Sequence, residues 1–161
     1  MGKEIERKYL VRNDAWRACA SGGAAYRQGY LSLDPERSVR VRIAGDRGFL
    51  TVKGKSEGAS RDEFEYPIPA SEAREMLDRL CVPPIIEKTR YLVFVNGMKW
   101  EIDEFTGENH GLVVAEVELE NENQQVALPS WLGTEVTSDA RYYNLSLVRK
   151  PFSQWEQGGN K

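Results

Sequence analysis

Along much of this chain polar and apolar residues alternate one for one. A period of two belongs to the β-strand, whose successive side chains point to opposite faces. Residues 3–11 show it first, with Glu4, Glu6 and Lys8 on one side and Ile5, Arg7 and Tyr9 on the other. Residues 26–33 set Leu31 and Leu33 against Gln28, Tyr30 and Ser32, and residues 38–44 set Val39, Val41 and Ile43 against Arg40 and Arg42. Residues 49–55 place Leu50 and Val52 opposite Thr51, Lys53 and Lys55, and residues 61–68 place Phe64 and Tyr66 opposite Glu63 and Glu65. The pattern returns over 86–95, with Tyr91 and Val93 against Lys88 and Arg90, and over 98–105, with Trp100 and Ile102 against Glu101 and Asp103. Over 112–120 it sets Ala115, Val117 and Leu119 against Glu116, Glu118 and Glu120.

Breaks in the alternation predict the other elements. Asn13 or Asp14 is placed to cap a short helix through Ala20, with Gly22-Gly23 ending it. Asp34-Pro35 and Gly45–Gly48 read as turns, and Asn96-Gly97 is the strongest hairpin signal in the chain. Ser71 is a candidate N-cap for a helix carrying Ala73, Met76, Leu77 and Leu80 on one stripe, stopped by Pro83-Pro84. A short helix is expected over 121–128, and a terminal helix capped from Thr137-Ser138-Asp139 carries Tyr142, Leu145 and Val148. About eight strands joined by short turns predict a mainly β (α+β) fold, an antiparallel sheet or barrel with several helices packed on its apolar face.

Composition narrows the classes. A chain of 161 residues suits one domain. A net charge of -3, with both signs interleaved, gives no bulk signal for nucleic acid. Cys19 and Cys81 stand alone and read as reduced thiols, and a single histidine, His110, excludes a histidine-rich metal site. There is no apolar run of membrane-spanning length and no signal-peptide core, so a cytoplasmic protein is expected. Trp16, Trp100, Trp131 and Trp155 read as packing between barrel and helices rather than as a base-stacking platform.

The face left over by the helices is charged in nearly every strand. In a flat sheet it meets water; in a closed sheet it lines a channel with room for side chains or one small ligand. The signs are segregated by strand, with Arg40/Arg42 and Lys88/Arg90 cationic and Glu63/Glu65, Glu101/Asp103 and Glu116/Glu118 anionic. Same-sign neighbours repel, so a polyanion together with divalent cations is expected to fill the space between them. Carboxylates suit hard cations, which share their shells with phosphates, and arginine and lysine take the remaining phosphate oxygens.

Glu4-x-Glu6-x-Lys8 resembles the ExExK signature of the triphosphate tunnel metalloenzymes, also called CYTH proteins. Arg40-x-Arg42, Lys53, Glu63-x-Glu65, Glu87-Lys88-x-Arg90, Asp103, Glu116-x-Glu118 and Asp139-x-Arg141-Tyr142-x-Asn144 follow in family order. The chain most resembles short bacterial members associated with inorganic triphosphate. The resemblance implies an eight-stranded antiparallel β-barrel tunnel with a charged lumen over residues 1–150, including the C-terminal helix, and a tail over 151–161. It implies Mg²⁺ or Mn²⁺ held by Glu4, Glu6, Glu116 and Glu118, with Glu63, Glu65 and Asp103 assisting directly or through water. Lys8, Arg40, Arg42, Lys53, Lys88 and Arg90 would bind the phosphate chain, and Arg141 would close over it.

The expected reaction is metal-dependent hydrolysis of a phosphoanhydride bond in inorganic triphosphate (tripolyphosphate) or a related triphosphate. Glu63, as a carboxylate ordering water, and Lys88, as acid, base or phosphate ligand, are the catalytic candidates. The alternatives are a class IV-type adenylyl cyclase, a thiamine or nucleoside triphosphatase, and a polyphosphate-binding module without turnover. The His-Phe pair that cyclases carry upstream of ExExK is not matched, since Met1-Gly2-Lys3 precede Glu4. The expected partner is a small anionic substrate, without nucleic acid or membrane; a homodimer is left open.

Overall fold

The computed structural model describes residues 2–155; Met1 and residues 156–161, most of the expected tail, lie outside them. Nine strands and two α-helices follow in the order β1 (Gly2–Val11), β2 (Ser21–Ser32), β3 (Arg37–Ala44), β4 (Arg47–Gly54), β5 (Ser60–Ile68), α1 (Ala70–Arg79), β6 (Ile86–Val95), β7 (Met98–Thr106), β8 (Val113–Glu118), β9 (Leu132–Glu135) and α2 (Asn144–Arg149). Short 3-10 turns occupy 15–19, 107–109, 140–142 and 152–154. The strands are antiparallel neighbours in the order β5-β4-β3-β2-β6-β7-β8-β1-β9. A further pairing of β1 with β5, Gly2 opposite Glu63 and Ile5 opposite Ser60, closes the first eight into a barrel. β9 pairs with the far end of β1, Tyr9 opposite Glu135. No described helix is long and apolar enough to cross a membrane.

The apolar face points out of the barrel and is covered from outside. Ala73 and Leu77 of α1 pack on Val41 and Ile43 of β3. Trp16, Trp100 and Trp131 join Tyr9, Ile102 and Val117 in a second cluster, with Trp100 edge-on to both Tyr9 and Trp131. Leu147 and Val148 of α2, with Tyr142 and Trp155, pack instead on Ile86, Phe105 and Val114, which alternate onto the same face as Lys88, Asp103 and Glu116, so α2 closes the barrel at one end rather than covering its outside. Phe64 and Tyr66 on the outside of β5 are left exposed.

Several local expectations are corrected. Gly22-Gly23 does not end a helix; both have positive φ inside β2, where the register with β6 shifts between Ser21 and Ala24. Glycine suits such a bulge, because it adopts positive φ without a Cβ penalty. α1 is capped by Pro69, whose carbonyl accepts from the N–H groups of Glu72 and Ala73, so Ser71 falls inside the first turn. Leu80 ends the helix and is exposed. No helix forms over 121–128. The Asn121 side chain accepts from Asn123 N–H, and the Arg7 guanidinium takes the carbonyls of Glu122 and Gln124, so side chains claim the groups a helix needs. β9 carries too short an alternation to be seen in sequence. The terminal helix is split: Asp139 caps a 3-10 turn, Tyr143 is extended, and α2 restarts at Asn144. At Asn96-Gly97 the expected two-residue turn is present, with φ of 52° and 77° joining Val95 to Met98.

Candidate active site

Because most apolar strand residues face outward, the opposite, largely charged face of every barrel strand faces the lumen. The lumen encloses a cavity of about 220 Å³ lined by Glu4, Glu6, Lys8, Tyr30, Arg40, Arg42, Lys53, Arg61, Glu63, Glu65, Lys88, Arg90, Glu101, Glu116, Glu118 and Asn144. Of the site residues expected from sequence, the cavity gathers all but two. Asp103 shares the lumenal face but is buried off the cavity surface, 1% exposed, with Lys88 donating to its Oδ2 at 2.7 Å and Arg90 to its Oδ1 at 2.7 Å. Arg141 does not line the cavity; its guanidinium pairs with Asp139 at 2.8 Å, beside the rings of Tyr142 and Trp155.

The expected segregation of charge is corrected by strand pairing. Each strand carries mainly one sign, but antiparallel register sets Lys53 opposite Glu63, Lys8 opposite Glu116, Glu4 opposite Arg61 and Arg90 opposite Asp103. Ion pairs follow: Lys53 to Glu4 at 3.0 Å and Glu63 at 3.6 Å, Lys8 to Glu116 at 3.4 Å, Arg61 to Glu4 at 3.3 Å, and Arg40 to Glu65 at 3.7 Å. Arg90 also reaches Glu101 at 3.3 Å and Glu116 at 3.8 Å. Much of the lumen therefore becomes a lattice of opposed charges, broken where Glu101 faces Glu116 and Glu6 faces Glu118.

Three groups stand out of that lattice. Among the described residues Arg42 has no carboxylate partner; its Nε donates to Gln28 at 3.0 Å and its guanidinium lies 5.0 Å from the ring centroid of Tyr26. Glu6 lies opposite Glu118 across β1 and β8, and the side chain of neither has an ion pair or hydrogen bond among the described residues. Arg40 donates to Thr51, yet its buried Nε has no partner.

The electrostatics follow the packing. Burial, reinforced by Glu116 and Glu4, pushes the Glu6 carboxyl up to about 8. Burial raises Glu4 too, but Lys53 and Arg61 overcome it and bring that carboxyl down to about 2. Burial lowers the Lys88 ammonium to about 7, against the pull of Asp103 and with the help of Arg90 and Arg42. Asp103, despite burial, is held well below the usual carboxylate range by Lys88 and Arg90. These two directions agree physically: Asp103 is shared, so Arg90 keeps it ionised even when Lys88 gives up its proton. Burial, Arg40 and Arg90 lower Arg42 to about 10, which leaves it charged at neutral pH.

The donor set fits a hard divalent cation. Glu4, Glu6, Glu116 and Glu118 supply only oxygens, and burial together with the neighbouring Glu116 and Glu4 carboxylates holds Glu6 protonated. Among the described residues no group of three or more His, Cys, Asp or Glu side chains is gathered as a ready-made cage. Such a set suits an ion that completes its shell with substrate phosphates and water. The neutral members of the site, Gln28, Tyr30, Thr51 and Asn144, are not among the expected site residues, although Asn144 stands in the matched C-terminal motif. Alternation places the first three on the lumenal face, but a search for charge passes over them; Asn144 reaches the lumen only through the break at Tyr143.

Fold and lumen together define a closed β-barrel built around an internal, doubly charged binding tunnel. A CYTH domain model matches residues 2–151, and the chain belongs to the CYTH family. It is 52% identical over 157 residues to an inorganic triphosphatase of Acetivibrio thermocellus, covering 98% of this chain and 100% of the relative. It is 37% identical over 153 residues to an inorganic triphosphatase of Nitrosomonas europaea, covering 90% of this chain and 96% of the relative. A crystal structure of an inorganic triphosphatase superimposes with a TM-score of 0.64 at 34% identity, covering 90% of this chain and 97% of that one.

Proposed function

We propose that this chain hydrolyses a phosphoanhydride bond of inorganic triphosphate, or of a closely related triphosphate, with the help of Mg²⁺ or Mn²⁺. The observation that carries the reading is the unmatched remainder of the lumenal lattice: Arg42 and the Nε of Arg40 lack an anion, while Glu6 and Glu118 lack a cation. A polyanion with a divalent cation supplies both at once. The two inorganic triphosphatases at 52% and 37% identity support the choice of substrate.

In this reading Lys8, Arg40, Arg42, Lys53, Lys88 and Arg90 hold the phosphate chain, and Glu4, Glu6, Glu116 and Glu118 hold the ion. The bound ion supplies charge neutralisation on phosphate oxygens and a more acidic water. Water attacks the terminal phosphorus, the bridging P–O bond breaks, and orthophosphate and diphosphate leave. Glu63 orients the water from the lumen wall, and Lys88, lowered to about 7, is poised to exchange a proton near neutral pH. Asp103 and Glu65, each engaged with an arginine, brace the cations.

The test is phosphate release from tripolyphosphate, ATP, GTP and thiamine triphosphate, each with Mg²⁺, with Mn²⁺ and with chelator, alongside a search for cyclic AMP. Tripolyphosphate turnover that chelator abolishes is the expected result. Cyclic AMP from ATP would replace the hydrolase with a cyclase, and tight tripolyphosphate binding without phosphate release would leave a binding module.

A further inference from the structure

At one side of the lumen the wall is neutral, and its hydrogen bonds run in one direction only. Gln28 on β2 is fully buried. Arg42 donates its Nε to Gln28 Oε1 at 3.0 Å, and a guanidinium has nothing but donors to offer. The carboxamide of Gln28 is thereby oriented: oxygen toward Arg42, nitrogen away from it. That nitrogen donates to Asn144 Oδ1 at 2.8 Å. Asn144 Oδ1 also accepts from Lys88 Nζ at 3.2 Å. With its oxygen serving two donors, Asn144 has its Nδ2 left, and Nδ2 has no acceptor among the described residues. Asn144 lines the tunnel cavity, alongside Arg42 and Lys88.

We infer that Asn144 is a substrate-binding residue whose Nδ2 donates to an oxygen of the phosphate chain, and that Gln28 is the positioning residue that aims it. The inference rests on the triphosphatase reading above. A neutral donor has a distinct use among so many charges. It adds a directional hydrogen bond to the chain without adding repulsion beside Arg42, Arg40 and Arg90. It also ties the chain's position to Arg42 and Lys88, because all three side chains meet on the two carboxamides. The charged donor at the head of the relay fixes both amides, so Asn144 cannot turn its oxygen to the substrate without stranding Gln28 Nε2 and Lys88 Nζ.

The test compares Asn144→Ala, Asn144→Leu, Asn144→Ser, Gln28→Ala and the double variant Gln28→Ala/Asn144→Ala with the wild-type protein. The readouts are kcat and KM for tripolyphosphate and the melting temperature with and without it. A hydrogen bond to a charged group gives an expected loss of roughly 10- to 100-fold in kcat/KM for Asn144→Ala, carried mainly by KM. Asn144→Ser, which restores a neutral hydroxyl donor, is expected to recover part of that loss. Gln28→Ala is expected to cost less in the Asn144→Ala background than in the wild type, because part of its effect runs through Asn144. A folded Asn144→Ala protein with unchanged KM overturns the substrate contact; if that variant does not fold, unchanged KM in Asn144→Leu, which keeps the volume but has no donor, does so. Fully additive losses overturn the positioning link. Absence of wild-type turnover on any triphosphate would instead strike the functional reading on which the inference rests.

Discussion

Arg42 and Arg90 line the same tunnel, yet replacing them should have opposite consequences for the empty protein. Consider Arg42→Met and Arg90→Met, which keep most of the apolar stem. Arg42 pays for its burial: the fall from 12.5 to about 10 corresponds to about 3 kcal/mol against its charged form. Against that stand its hydrogen bond to Gln28, worth about 1.5–3 kcal/mol for a charged donor, and its contact with the Tyr26 ring, worth about 0.5–2 kcal/mol. The two sides nearly cancel, so the melting temperature should move by only a few degrees in either direction. Arg90 bonds Asp103 at 2.7 and 2.9 Å, with side-chain exposures of 10% and 2%. Removing one partner of a buried pair costs about 3–5 kcal/mol, and Lys88, still on Asp103, keeps the cost near the lower end. About 3 kcal/mol in a domain of this size lowers the melting temperature by roughly 6–12 °C. Both variants should lose about two orders of magnitude or more in kcat/KM for tripolyphosphate, since in the proposed reading each removes a charged donor to phosphate. The assays are thermal melts of the metal-free protein and steady-state kinetics. Equal melting-temperature losses in both variants, or an Arg42→Met protein of undiminished activity, would refute the division into paired and unpaired cations.

Glu6 sets a pH dependence. Its pKa rises from 4.5 unfolded to about 8 folded, so its contribution is fully present below about 4.5 and is lost as pH rises toward 8. Metal-free Glu6→Gln should therefore be more stable than wild type at pH 8–9 and show a flatter profile across that window; matching melting curves at pH 9 would contradict it. Ligand stabilisation should follow tripolyphosphate, then diphosphate, then orthophosphate, each with Mg²⁺, by about 2.7 kcal/mol for a ligand at a hundredfold excess over its Kd; equal small shifts for all three would mean a site not matched to a chain. Leu77→Ala, on the barrel-facing side of α1 and outside the barrel, should cost about 2–5 kcal/mol in denaturant melts while leaving kcat/KM at low temperature unchanged; a large kinetic loss there would show that α1 couples to the tunnel.

The strands were legible because one face of each is charged and the other apolar, and that contrast survives any tertiary arrangement. Register was not. The sign of each strand is written in sequence, but the partner that sits opposite Lys53 or Arg90 is set by pairing between distant segments. Hence the empty lumen, expected to repel itself, is largely neutralised in place. The helix over 121–128 failed for a related reason: the Arg7 guanidinium that holds the segment open lies 115 and 117 residues away from the carbonyls it binds. Asn144 was beyond local reasoning because its direction depends on a two-carboxamide relay anchored on β2 and β3.

The lattice also accounts for how a small barrel carries so many buried charges without collapse. Ions buried in pairs are individually poor sources of stability, because desolvation offsets attraction. Their value here is geometric. Asp103, buried on the lumenal face, accepts from both Lys88 and Arg90 and so fixes where the two cations point, while Arg90 also reaches Glu116 of β8. Glu4 and Glu63 hold Lys53 in the same manner from β1 and β5. The donors are thus fixed before substrate arrives, and little reorganisation is left for binding to supply. The groups outside the lattice, Arg42, Glu6 and Glu118, are the ones free to gain a partner. In the proposed reading, recognition is therefore concentrated in a few unmatched charges, while the matched majority builds the rigid frame that keeps them apart.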